Sequence, residues 1–113
     1  MIIGIGTDIV SIPRIAQAMK NPAFINRILT PSEKRRELTP EYVAGRWAAK
    51  EAVKKAFPQV NSWHQVQILN EPHQPPKAAI FHPAFQSEIH NIHISISHER
   101  DLAIAFAVID RTS

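Results

Sequence analysis

The chain contains no cysteine, so neither a disulfide framework nor a thiolate metal site is open to it, in keeping with a reducing compartment. Glycine is scarce at three residues, and two of them, Gly4 and Gly6, fall in one Ile-rich stretch. That Gly-x-Gly lacks the third glycine and acidic partner of a dinucleotide fingerprint, and no Gly-x-x-x-x-Gly-Lys-Ser/Thr occurs anywhere, which excludes a P-loop phosphotransferase. No apolar run approaches the ~20 residues of a membrane span. The first ten residues have no basic segment and carry Asp8, so they do not read as an export signal and a cytoplasmic location is expected. Internal repeats and low-complexity tracts are missing as well.

What remains is a chain of 113 residues with 44% hydrophobic content. That size suits one globular domain spanning 1–113, which would bury roughly two thirds of its extended surface. A formal charge of +3 and a sequence pI near 9.6 favour an acidic or phosphorylated partner.

The stretch from Thr39 to Pro58 reads as one long helix. Thr39 can cap its first free N–H groups, Pro40 suits the first helical position, and Pro58 blocks a further turn. At 3.6 residues per turn, Tyr42, Gly45, Ala49, Ala52, Val53 and Ala56 share a side of mostly small residues that lets another layer approach closely. Glu51 points away from that core side, with Lys55 one turn after it and Trp47 one turn before. Taken alone, a Glu-to-Lys pair at this spacing is also what an ordinary solvated helix uses.

Residues 2 to 10 read as a first strand, its glycines marking close approach of another backbone. Asp8 is its only charge, either a turn residue or a ligand at a strand end. Helical segments follow over Ser11–Lys20 and Asn21–Leu29, and Thr30, Pro31 and Glu33 form a capping box that predicts a third short helix toward Glu37. These segments collect Arg14, Lys20, Arg27, Lys34, Arg35 and Arg36, a solvated basic surface or a landing site for an acidic partner or nucleic acid. After the central helix the pattern turns to strands at Val66–Leu69 and Ala78–Phe81, a short helix at Pro83–Ile89, and an alternating strand through Ile92, Ile94 and Ile96. Leu102–Ile109 is apolar on both faces and should be covered on both sides, by the domain or by another subunit. The expected architecture is a small α+β domain with an antiparallel sheet packed on the long central helix. His90, His93 and His98 do not share strand parity, which argues against a zinc site.

With Gly6-Thr7-Asp8-Ile9-Val10, Trp47 to Lys55 and Ser95-Ile96-Ser97-His98 all in place and in this order, the chain resembles the holo-[acyl-carrier-protein] synthases, small 4′-phosphopantetheinyl transferases. Phe24–Thr30 and Val43–Phe57 also look like that family, so the resemblance spans nearly the whole chain. It implies transfer of 4′-phosphopantetheine from coenzyme A to a serine of apo acyl carrier protein, with adenosine 3′,5′-bisphosphate released. It further implies Asp8 and Glu51 as carboxylates for Mg²⁺, Arg46, Lys55 and His98 as phosphate-handling groups, Arg14 and Arg27 as contacts for the acidic carrier protein, and a homotrimer. Hard carboxylate oxygens do suit Mg²⁺, which rarely has an all-protein cage. The serine proton could pass to Glu51, Asp8, a neutral Lys55 or a metal-bound water. Two stretches depart from the family: Gln74-Pro75-Pro76-Lys77 replaces a glycine-containing turn, and the segment between Thr30 and Tyr42 is shortened.

Arg46 lies about 140° around the helix from Glu51 at ~100° per residue, so two chains would supply them to one ligand. The rival reading is a small basic nucleic-acid-binding domain using Arg14, Arg27 and Lys34 to Arg36, although no recognised module of that kind is present. Neither a nucleic acid nor a membrane is expected as a partner.

Overall fold

In the computed structural model, which describes residues 1–112, the elements are β1 (Ile2–Ser11), α1 (Ile12–Ala18), α2 (Pro22–Ile28), α3 (Pro40–Ala56), a 3₁₀ turn (Trp63–Gln65), β2 (Val66–Leu69), β3 (Lys77–Ile80), β4 (His90–Glu99) and β5 (Leu102–Arg111). Each helix starts where its capping chemistry dictates. Ser11, Asn21 and Thr39 accept hydrogen bonds from Arg14, Ala23 and Tyr42 backbone N–H groups, with proline in the first turn each time.

The main sheet has the order β1-β5-β4, all antiparallel, while β2 and β3 pair separately. Helix α3 lies across the inner face of the main sheet. Its Ala48, Ala49, Ala52, Val53 and Ala56 pack with Ala105, Ala107 and Ile109 of β5 and with Val66, Ile68 and Ile80 of the smaller sheet. Small residues on both layers let the backbones close in. A Cβ added at Gly4 would sit 1.9 Å from the Ala56 carbonyl oxygen, and one at Gly6 1.9 Å from that of Ala52. No side chain fits either place, which accounts for both glycines in β1.

Two predicted helices do not form. The capping box at Thr30 is made, with Thr30 N–H donating to Glu33 Oε1 at 2.8 Å and Glu33 N–H to Thr30 Oγ1 at 3.3 Å, but residues 31–34 make a turn instead of a helix. Glu33 is drawn into the interior, where its other oxygen accepts Ile68 N–H. Tertiary contacts thus take over the box before a helix can propagate. Residues 83–89 are turns as well, because His82 Nδ1 and His90 Nδ1 capture the N–H groups of Ala84 and Gln86.

Strand β5 is covered on one side only. Ala103, Ala105, Ala107 and Ile109 are buried beneath α3, but on the other face Phe106 is 54% exposed beside Ile5 at 64% and Ile9 at 60% from β1. The sequence expects cover on both sides, and among the described residues the outer side is left partly open, with Phe106 exposed and Ile104 and Val108 half-buried.

Candidate active site

Asp8 and Glu51 reach the same cleft from different elements. Asp8 sits in β1 opposite Ala105, on the helix-facing side of the strand, and Glu51 projects from the middle of α3. With Ile9, Arg14, Phe24 and Trp47 they line a cleft of about 430 Å³. Burial holds the Glu51 carboxyl above its ordinary range, and the negative charge of Asp8 adds to the effect, while Lys55 and Lys54 oppose it. Lys55 Nζ donates to the Thr7 carbonyl at 2.8 Å and lies 3.4 Å from Asp8 Oδ1. Lys50, adjacent to Glu51 in sequence, pairs instead with Glu33; among the described residues only Lys55 pairs with one of the two carboxylates. Among the described residues no three His, Asp or Glu side chains gather into a metal cage. Two carboxylates that repel each other in an open cleft fit a hard divalent ion whose other ligands come from phosphate and water.

Arg46 and His98 face a different depression. Arg46 is buried, donates to Asn70 Oδ1 and stacks over the Tyr42 ring at 4.6 Å, while Arg36 stacks over the same ring at 4.1 Å. Its Nε has no hydrogen-bond partner among the described residues. His98, near the end of β4, donates from Nε2 to the Glu41 carbonyl at 3.0 Å. These groups, with Thr39 and Gly45, line a basin of about 300 Å³. Gly45 has a specific reason here, since a Cβ would come within 3.0 Å of His98 Nε2 and 3.2 Å of Ile96.

Within one chain, then, the carboxylates and the Arg46–His98 pair line separate depressions. Arg14 joins the carboxylate cleft, and Arg27 lies exposed in the last turn of α2. His93 turns to the opposite face of β4 and pairs with Asp110 at 2.6 Å. Beyond the sequence expectations, Tyr42 carries Arg46, Asn70 anchors it, and Glu33 is the buried partner of Lys50 at 2.6 Å. Tyr42 had one visible signal, its position one turn before Arg46; Asn70 had none.

Known proteins resemble this chain over nearly its whole length. Residues 4–107 match the 4′-phosphopantetheinyl transferase superfamily. A holo-[acyl-carrier-protein] synthase of Geobacillus sp. (strain WCH70) is 46% identical over 124 residues, covering 100% of both chains, and one of Exiguobacterium sp. (strain ATCC BAA-1283 / AT1b) is 39% identical over 123 residues, covering 97% of this chain and 93% of its own. Among solved structures, the Bacillus anthracis synthase in complex with CoA (3′,5′-ADP) superposes with a TM-score of 0.80 at 34% identity, covering 99% of each chain. The Helicobacter pylori synthase in complex with coenzyme A gives a TM-score of 0.80 at 32% identity, covering 94% of this chain and 99% of its own. The fold, the two charged depressions and these likenesses together place the chain in the holo-[acyl-carrier-protein] synthase family of 4′-phosphopantetheinyl transferases, which move 4′-phosphopantetheine from coenzyme A to apo acyl carrier protein.

Proposed function

We propose that the reaction takes place in a composite site of a homotrimer, in which one chain contributes Asp8, Glu51 and Lys55 and its neighbour contributes Arg46 and His98. The observation that carries this reading is the separation of the two depressions across α3, combined with the uncovered apolar face of β1 and β5. A neighbouring chain seated on that face removes Ile5, Ile9 and Phe106 from water.

Asp8 and Glu51 would hold Mg²⁺, which would supply positive charge against the pyrophosphate oxygens and the departing bisphosphate. The carrier serine oxygen attacks the phosphorus that bears the pantetheine arm, and the bond from that phosphorus to the bridging oxygen breaks. Lys55 Nζ, anchored on the Thr7 carbonyl, is held beside the carboxylates to meet phosphate oxygen. The serine proton passes to a base at this cleft, Glu51, Asp8 or Lys55, or to water held there. Arg46 and His98 receive the phosphates of the adenosine half, and Arg14 with Arg27 draws in the acidic carrier protein. Coenzyme A and a carrier protein as substrates agree with a cytoplasmic location.

At coenzyme A too dilute to serve Arg46→Ala, mixing that protein with Glu51→Ala should restore activity, because a mixed trimer contains one site with both residues intact. A monomeric mass by light scattering, or no rescue after confirmed subunit exchange, overturns the shared site. Coenzyme A with Mg²⁺ should raise the melting temperature where an oligonucleotide does not, and the reverse result would favour nucleic-acid binding.

A further inference from the structure

We propose that the buried Glu33–Lys50 ion pair is a positioning device that fixes the walls of both depressions at once. Both side chains are fully buried, 2.6 Å apart. Lys50 Nζ also donates to the carbonyls of Ile28 at 2.6 Å and Trp63 at 3.1 Å, so its three protons meet three acceptors. Glu33 accepts from Thr30 N–H and Ile68 N–H, both at 2.8 Å. The pair thereby ties the end of α2, the Thr30 turn, the 3₁₀ turn and β2 to the middle of α3.

Two routes lead outward from it. On one side Lys50 holds the Trp63 carbonyl, and the Trp63 ring meets Trp47 edge-on at 4.7 Å, a wall of the carboxylate cleft. On the other, the Glu33 carbonyl accepts the Tyr42 hydroxyl at 2.8 Å, and the Tyr42 ring carries Arg46, whose second anchor, Asn70, lies two residues beyond the tethered Ile68. A buried pair of this kind is often no more stabilising than apolar residues of equal volume, because desolvation offsets the attraction. Its links to both depressions point to a role in geometry rather than in stability.

The role rests on the site assignment above, so the test keeps the two apart. Glu33→Gln with Lys50→Met removes both charges together and leaves no lone buried ion. Assayed well below its melting temperature, the double variant should lose at least about tenfold in kcat/KM, with lower kcat and higher KM for coenzyme A, since small displacements of positioned groups are costly. Emission from Trp47 and Trp63, the only tryptophans, should shift with it. Wild-type kinetic constants in the folded double variant overturn the proposal. If the double variant does not fold, Tyr42→Phe decides: it cuts only the second route and should raise KM for coenzyme A about threefold with kcat nearly constant, and an unchanged KM overturns the proposal. Glu51→Gln run in parallel separates the failures. Loss of activity there with none in the double variant removes the positioning role alone, whereas full activity in Glu51→Gln removes the assignment beneath it.

Discussion

The cleft of Asp8 and Glu51 and the basin of Arg46 and His98 lie on two flanks of one helix, yet their charges are handled in opposite ways. The carboxylates share a cleft in which, among the described residues, Lys55, itself half exposed, is the one cation that pairs with either, so their repulsion is only partly offset. Arg46, by contrast, is buried against Tyr42 and anchored by Asn70, with one guanidinium nitrogen left over. A cation relieves the first arrangement and an anion completes the second. What differs is therefore how the charge is met: Arg46 already has protein partners, whereas the two carboxylates are left to repel each other.

The sharpest way to break the contrast is to remove charge from the cleft. Asp8→Asn or Glu51→Gln should reduce transfer at least about a thousandfold by loss of metal-assisted charge stabilisation. The same change relieves repulsion and the cost of burying Glu51, so without added divalent ion the melting temperature of Glu51→Gln should equal or exceed wild type. A large drop in melting temperature would mean that the carboxylates are structural.

Next come two substitutions that separate the depressions by substrate. Arg46→Ala should raise KM for coenzyme A by about ten- to a hundredfold, while Arg14→Glu should chiefly raise KM for carrier protein and steepen the loss with salt. Equal changes in both constants for either variant would erase the distinction. A smaller effect is expected from Gly45→Ala, whose methyl group meets His98 at 3.0 Å. It should raise KM for coenzyme A severalfold, without the fold loss that a Cβ at Gly4 or Gly6 would bring, because an exposed ring can move where a carbonyl oxygen cannot.

The least effect concerns the far edge of the sheet. Hydrogen bonds from Asn91 and then His93 hold the Asp110 carboxyl below its ordinary range. A lowered carboxyl stabilises the fold above its unfolded pKa and ceases to do so as pH falls through the folded value. Thermal melts of wild type and Asp110→Asn should thus differ slightly at neutral pH and converge in acid below the usual carboxylate range. Curves that diverge as the solution is acidified would contradict the sign.

Much of this layout could be read from the sequence, and the parts that could not share a cause. The caps at Ser11, Asn21 and Thr39, the bounds of α3 and the close approach at Gly4 and Gly6 are written in residues that act on their immediate neighbours. Asp8, Glu51, Arg46 and His98 stand out through likeness to a family, and the angle between Arg46 and Glu51 follows from helical phase. Glu33 misled because its capping role is real but incomplete: the same carboxylate serves Thr30, Ile68 and Lys50, and only Thr30 is close in sequence. Asn70 gave no signal, since nothing in a short strand end announces the arginine that it will anchor. The turns at 83–89 were missed because histidine rings competed for the N–H groups that a helix would have used.

The two glycines of β1 set a dimension. Asp8 rides on the strand and Glu51 on the helix, and between those elements main chain rests on main chain, with carbonyl oxygens occupying the space where side chains would otherwise act as compressible shims. The gap between the two layers is consequently gauged by atomic radii that mutation cannot adjust, so substitutions elsewhere in the core can change how firmly the molecule holds together while the calliper across the carboxylates keeps its setting.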